Sequence, residues 1–354
     1  MYKIESVTNA LLTGHFDRYA TETKRLMIEL LEGTITIPGE LGRKGKIDIT
    51  YKVKKGSPTY LFLKKYSQEN NLRKLLCGSW DDLLKVIEDV NIWIPNLRWQ
   101  HRATKEKYTL GEYQKDGFDA ENRVLIDHFN EILHWLFIDQ MYEDQIDKLR
   151  FIQELNLKIC PYCGRQHINV AQVTGRRDSK PPIDHFLPKS LYPFLAISFR
   201  NMVPVCTVCN DITNKGDYDP INPTVGLENP YSFDDTHVIF KGDFNIKNEQ
   251  DENSFNVDII CNPVTLDKGY KEVLKLLPFY QDEKIKMQDM YINFTTNTDS
   301  FKEYLKDLGV KQQFLDNVAK MVIGHRLDGK ASQRAYYKFH KDLLLQLLEH
   351  FKMI

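Results

Sequence analysis

Four of the six cysteines form two Cys-x-x-Cys pairs, Cys160/Cys163 and Cys206/Cys209. In a chain that stays in a reducing compartment, such pairs are typical of metal ligands rather than of disulfides. Four thiolates can hold one tetrahedral zinc ion, and a complete sulfur set leaves that ion no open position for water. The sequence therefore predicts a structural zinc site, and any catalysis has to come from other residues.

Two other interpretations of the cysteines compete with this one. A free-standing zinc ribbon without catalysis would show the same two pairs. A redox role is disfavoured because neither pair opens a helix within a βαβ pattern. The remaining two, Cys77 and Cys261, stand beside apolar residues and are predicted to be small buried hydrophobes.

Polar residues that could take part in catalysis lie between and after the two cysteine pairs. Asp184 and His185 have prolines on both sides, which predicts a short strand that leads into a loop. Asn201 precedes the strand-like segment MVPV, and Asn210 follows the second pair where a helix can begin. Each signal alone is weak, because an Asp-His pair is more often a surface or hydrogen-bonded structural pair. Their order along the chain makes them informative together.

This order, with Asp-His on one strand, Asn before the return strand and Asn on a helix, resembles the zinc-bearing HNH (ββα-metal) endonucleases over about residues 158–220. The resemblance implies that His185 is the general base that activates water against a phosphodiester. It also implies that Asp184 and Asn210 bind one catalytic Mg²⁺ or Mn²⁺, and that Asn201 orients the loop. Histidine suits proton transfer near neutral pH, and hard cations prefer oxygen ligands.

One departure from the family's pattern concerns the helix after the second cysteine pair. Many members have a lysine three residues after the helix asparagine, whereas Lys215 follows Asn210 by five. Asn214 is therefore a second candidate ligand. Lys215 is a candidate phosphate contact, and so is Lys189, which lies in a Pro-Lys-Ser stretch similar to one in these nucleases; solvent exposure is the alternative for both.

A second candidate surface for nucleic acid is the basic segment 43–66. Residues 34–66 as a whole are strand-like around a Gly-rich turn, which predicts a β-hairpin or small sheet. Apolar residues alternate with cations in its second half, so one face of that strand is mostly cationic. The candidate contacts of the basic segment are Arg43, Lys44, Lys46, Lys52 and Lys54. A phosphate-binding role and a simple role in keeping an edge strand soluble are equally compatible with this pattern.

The predicted helices and strands that must position these residues indicate an α+β protein. A small zinc-bound ββα-metal core is expected between a mixed N-terminal region and a mainly helical C-terminal region. The expected regions are 1–117 (mixed α/β, for nucleic acid or a partner), 118–157 (a long helix leading into the core), 158–225 (the nuclease core), 226–263 (a short antiparallel sheet) and 264–354 (helical). With 354 residues, two or three folded units are the natural expectation.

Composition excludes some classes of function. The net charge is −1, so nucleic-acid binding would have to rest on local patches. The N-terminus lacks the pattern of a signal peptide and no long apolar run occurs, which predicts a cytoplasmic protein without membrane partners.

The function that the resemblance implies is endonuclease activity, with DNA favoured and bacterial antiphage defence as the context. Zinc-knuckle nucleases of Septu-type systems act beside an ATPase, so the resemblance is compatible with an ATPase or another defence-system chain as partner. A standalone restriction-like enzyme or a mobile-element nuclease fits as well. This chain has no phosphate-binding G-x-x-x-x-G-K-[ST] loop of its own. RNA cleavage, including that of tRNA, by the same mechanism and a non-catalytic zinc-ribbon binding module are the alternatives.

Overall fold

The computed structural model describes residues 1–37, 49–94, 129–172, 174–175, 178–309 and 311–354. These form two compact units. Unit 1 consists of Met1–Glu5, Asn156–Pro182 and Pro204–Ile354, and unit 2 consists of Ser6–Leu155 and Ile183–Val203. The mixture of helices and short strands confirms the α+β class. Of the helices described, none combines the length and apolar character needed to cross a membrane.

Unit 2 is mainly helical. Its helices are α1 (Asn9–Glu32), α2 (Pro58–Tyr66), α3 (Glu69–Cys77), α4 (Trp80–Trp93), a helix at 129–134 that continues as the π-helix Trp135–Glu143, and α5 (Lys148–Leu155). Its strands are β1 (Thr34–Ile37), antiparallel to β2 (Ile49–Lys52), and β3 (Ile183–His185), which pairs with β4 (Met202–Pro204).

Local signals identified several of these elements. Helix α1 ends at Gly33, and the side chain of Ser79 caps α4 in a reciprocal capping box with Asp82. The hairpin prediction is confirmed for β1 and β2 but was wrong toward Tyr66. Ser57 accepts a hydrogen bond from the Tyr60 amide and a proline follows it, so a helix begins there instead.

The long helix predicted at 118–157 is not continuous within the described residues. The chain forms the π-helix up to Glu143, turns, and starts α5 at Lys148. The apolar positions are nevertheless buried on both segments, since helical spacing survives a short break. The sequence pattern did not reveal that the first segment is a π-helix, whose backbone hydrogen bonds span five residues instead of the four of an α-helix.

Phenylalanine rings form the centre of the unit 2 core. Phe62 of α2 is completely buried and lies 5.9 Å from Phe129, 6.1 Å from Phe137 and 5.5 Å from Phe194 between ring centroids. These aromatic residues come from three distant chain segments. Edge-to-face contacts of this kind stabilise a core beyond the area they bury, and here they hold the segment before β4 against the helices.

Unit 1 combines a hairpin with helices. Strands β5 (Val238–Asp243) and β6 (Asn256–Cys261) are antiparallel and lie within the region 226–263, where a short antiparallel sheet was expected. The helices are α6 (Thr207–Asn210), α7 (Thr265–Lys268) continuing as the π-helix Gly269–Val273, α8 (Leu276–Gln281), α9 (Lys284–Thr296), α10 (Thr298–Leu308), α11 (Gln312–Ile323) and α12 (Tyr337–His350). Helix α10 starts at Thr298, and Gly309 is its C-cap.

Side chains of α12 occupy the hydrogen-bonding edge of β5. Asp342 accepts from the Phe240 amide at 3.0 Å, and Gln346 donates to the Phe240 carbonyl at 2.6 Å and accepts from the Gly242 amide at 3.1 Å. They replace a third strand and so cover an edge that would otherwise pair with another chain. The C-terminal helix is therefore an integral part of unit 1.

Candidate active site and zinc centre

The four paired cysteines come together in unit 1. Their sulfur atoms all lie within 4.8 Å of one another, and all four residues are buried. A tetrahedral zinc ion bonded at about 2.3 Å requires sulfur atoms of this spacing. The Cys209 amide also points at the Cys206 sulfur at 3.4 Å, as in a zinc knuckle. The geometry and the donor set therefore fit one structural zinc ion.

The electrostatics of the cluster favour a bound dication. Burial raises the pKa of the Cys160 thiol well above its ordinary value, and hydrogen bonding with the other three cysteines does the same to the pKa of Cys209. Without a metal, four thiolates cannot share this buried space. A zinc ion removes the conflict because it stabilises every thiolate at once.

The surroundings of the first pair are built by chain segments from both ends of unit 1. Tyr2 donates its hydroxyl to the Ile159 carbonyl at 2.5 Å, and Tyr280 donates its hydroxyl to the Cys163 carbonyl at 2.7 Å. The Tyr336 amide binds the Gly164 carbonyl at 2.7 Å. The knuckle is thus held in place by the N-terminal segment and by the C-terminal helices.

Asp184 and His185 lie at the end of β3 in unit 2, where the sequence predicted a short strand. They are 5% and 6% exposed. The Nε2 atom of His185 lies 2.9 Å from the carbonyl oxygen of Ala196. Because a carbonyl can only accept, Nε2 carries the proton and the lone pair of a neutral ring is on Nδ1. This is the tautomer in which Nδ1 can act as a base.

Asn201 bridges the loop that joins β3 to β4. Its side chain is fully buried, accepts from the Leu187 amide at 2.7 Å, and donates to the carbonyls of Leu187 and Leu195 at 3.1 and 3.0 Å. The Leu195 carbonyl directly precedes Ala196, which binds His185. Asn201 therefore holds both sides of the loop that carries the acceptor for the imidazole.

Replacing Asn201 by alanine is expected to destabilise unit 2 by about 3–5 kcal/mol, because three buried backbone groups lose their partners at about 1–3 kcal/mol each. Denaturant unfolding measures the change. Asn71→Ala is the matched control, since the amide of Asn71 donates to the Lys65 carbonyl at a part-buried position of the same unit, and it should cost about 1 kcal/mol. Equal losses in the two variants would contradict a bridging role for Asn201.

Asn210 and Asn214 lie in unit 1 on and after α6. Asn210 ends this short helix and lines a cleft of about 650 Å³ together with Lys180 and Asp211. Asn214 donates to the Val208 carbonyl at 2.6 Å, while its side-chain oxygen is buried without a hydrogen-bond partner among the described residues. Both amides thus remain candidate oxygen ligands. Lys215 is 1% exposed, so its side chain does not present an open surface for phosphate.

The basic candidates are spread over several places. Lys52 at the end of β2 and Lys54 after it are exposed, whereas Arg43, Lys44 and Lys46 lie outside the described residues. Lys189 lies in the loop after β3, is 38% exposed and forms an ion pair with Glu143 at 3.4 Å. Lys189 also lies 4.9 Å from the ring centre of Tyr142, which packs against His185.

Sequence reasoning missed two residues that contact this loop. Tyr142, on the π-helix, packs edge-on against His185 with 4.5 Å between ring centroids. Its pKa is raised by burial and by the Glu143 and Asp184 carboxylates. His15 of α1 binds the Ile197 carbonyl through Nε2 at 2.9 Å, and burial lowers its pKa to about 4. Nothing in the local sequence signals either contact, since both depend on helices far away in the chain.

Comparisons with known proteins give a short match. No protein-family model and no solved structure matches the chain. A stretch of 48 residues is 46% identical to the Septu protein PtuB of Bacillus thuringiensis, and it covers 12% of this chain and 18% of that protein. The chain thus matches less than a fifth of that relative's length. The partial similarity and the four-cysteine cluster together fit a Septu-like protein with a zinc knuckle.

Proposed function

We propose that this chain is a metal-dependent HNH endonuclease that cleaves nucleic acid, with DNA favoured, in antiphage defence. The observation that carries the proposal is the orientation of His185. Its Nε2–H donates to the Ala196 carbonyl, which assigns the basic lone pair to Nδ1. A histidine whose tautomer is set by a backbone carbonyl, on a strand next to a carboxylate, fits the role of a general base.

The roles of the other residues follow from their chemistry. Asp184 and Asn210, with Asn214 as the alternative to Asn210, offer the hard oxygen donors that magnesium or manganese prefers. Such an ion would supply charge neutralisation at the scissile phosphate. Asn201 holds the loop that carries the acceptor for His185. The zinc cluster leaves no open coordination site and acts by shaping the fold.

The biological role is proposed from the partial similarity to the Septu protein. Together with the zinc knuckle, it supports a defence function in which another chain of the system, such as an ATPase, restrains or triggers cleavage. The regions outside the core would then bind nucleic acid or that partner. A zinc-ribbon module that binds without cleaving remains the competing function, because the cysteine cluster is complete without Asp184 or His185.

Incubation of the purified chain with supercoiled plasmid and with tRNA, with added Mg²⁺ or Mn²⁺, tests the proposal. Nicked or linear plasmid is expected with either ion, and a mock preparation from cells without the chain is the blank. Cleavage of tRNA alone would favour the RNA alternative. If both substrates stay intact with either ion, also in the presence of neighbouring gene products, the binding module is the better account.

A further inference from the structure

An aromatic side chain and two lysines lie next to His185 in unit 2. Tyr142 is buried on the π-helix, with its ring at 69° to the imidazole plane. The ammonium group of Lys148 lies 4.4 Å from the centre of the Tyr142 ring, and that of Lys189 lies 4.9 Å from it. Both distances are within the range of cation–π attraction. Two cations therefore converge on a ring that touches the candidate base.

These two lysines come from separate parts of the chain. Lys148 begins α5, whereas Lys189 lies in the loop after β3. Both form ion pairs with Glu143, the last residue of the π-helix. Their side chains are 25% and 38% exposed, so a ligand can reach them. Glu143 balances one of the two positive charges, and Asp184 is the other carboxylate that acts on Tyr142. With Asp184 engaged by the proposed metal ion, one lysine charge stays available beside His185.

We propose that Lys148 and Lys189 form a subsite for a backbone phosphate of the nucleic-acid substrate, with the Tyr142 ring as its wall. The inference rests on the proposed function, which supplies the class of substrate. Glu143 and the ring keep the long lysine side chains ordered before the substrate binds, so less conformational entropy is lost on binding. A phosphate oxygen then binds both ammonium groups by charge-assisted hydrogen bonds. Lys148 is the new residue in this site.

The proposal is tested by duplex binding without added divalent cation, so that cleavage does not interfere. Fluorescence anisotropy of a labelled duplex of about 20 base pairs is measured between about 50 and 200 mM salt. Lys148→Met should weaken binding about three- to tenfold and lower the slope of log K against log salt by about 0.5, because Lys189 still contacts the shared phosphate. The double variant Lys148→Met/Lys189→Met should lower it by about 1, because that phosphate contact is lost.

Lys286→Met is the matched control. Lys286 of unit 1 is 38% exposed like Lys189, pairs with Glu283 at 3.4 Å, and lies 4.7 Å from the ring centre of Tyr336. It should leave the salt slope unchanged. Lys189→Met changes the second lysine, which lies in an exposed loop. It tests the subsite by itself if Lys148→Met does not fold. An unchanged slope in the variants that fold, or equal changes in Lys286→Met, overturns the subsite.

The outcomes separate this proposal from the proposed function. A wild-type chain that binds the duplex through both lysines but never cleaves would contradict nuclease activity and support the subsite. If the wild-type chain cleaves and the salt slope is unchanged in both lysine variants, nuclease activity is supported and the subsite is contradicted. A wild-type chain that binds neither the duplex nor single-stranded RNA overturns the subsite.

Discussion

The Cys209→Ser variant is expected to lose its zinc ion and to unfold unit 1 around both cysteine pairs. Serine keeps its proton and is a poor zinc ligand, and the three remaining thiols are buried. The apparent free energy of structural zinc binding is about 10–16 kcal/mol in zinc-finger peptides. It is comparable to the whole free energy of unfolding of a domain, which is about 5–15 kcal/mol. Mass spectrometry should show zinc falling from about one per chain to almost none.

Cys261→Ala is the control for this change. Cys261 is a buried cysteine of the same unit, on β6 and outside the cluster, and burial raises its pKa to about 12, so it stays a neutral thiol. This variant should keep its zinc and lose only about 1–2 kcal/mol of stability from the smaller side chain. The zinc assignment fails if Cys209→Ser keeps both the metal and the melting temperature of the wild type.

The second large effect is expected from His185→Gln. The glutamine amide can still donate to the Ala196 carbonyl, but it accepts no proton near neutral pH. The variant should therefore keep the fold of the loop and lose about 10³-fold in kcat, within the range of general-base catalysis, while KM changes by less than about threefold. Initial rates of plasmid nicking at saturating Mg²⁺ measure both constants.

His15→Gln provides a close comparison for His185→Gln. His15 is 1% exposed and binds the carbonyl of Ile197, the residue after the acceptor of His185, through the same ring nitrogen and at the same 2.9 Å. The two variants thus disturb one loop in the same manner. His15→Gln should retain kcat within about threefold because no proton transfer is assigned to it. A similar loss in both variants would mean that His185 acts on the structure of the loop and not on water.

Much of the site's chemistry could be predicted without the fold because ligand types and spacings are local. Each Cys-x-x-Cys pair forms its knuckle within a few residues, so Cys160, Cys163, Cys206 and Cys209 could be predicted to form a cluster that can hold zinc. The prolines around Asp184 and His185 likewise indicated the short strand β3. The cap at Ser79 and the helix end at Gly33 likewise depend on residues that are close together in the sequence.

Other features required contacts between distant segments. The interpretation of Lys215 as a phosphate contact took no account of its burial, because a lysine in a polar stretch shows no local sign that surrounding elements will enclose it. Residues 58–66 were predicted as strand because the preceding residues alternate like a strand. They form a helix, which begins after the cap at Ser57. The π-helix, too, results from packing rather than from a recognisable local pattern.

By itself, the sequence determined which residues could bind zinc and which histidine could act as a base, since these depend on side-chain chemistry and short spacing. The tertiary structure alone decided the protonated nitrogen of His185, through the position of the Ala196 carbonyl. It also decided the approach of Tyr142, Lys148 and Lys189 to that histidine. Such contacts join residues far apart in the chain, and their free energy comes from the packing of whole helices, which no short segment of sequence encodes.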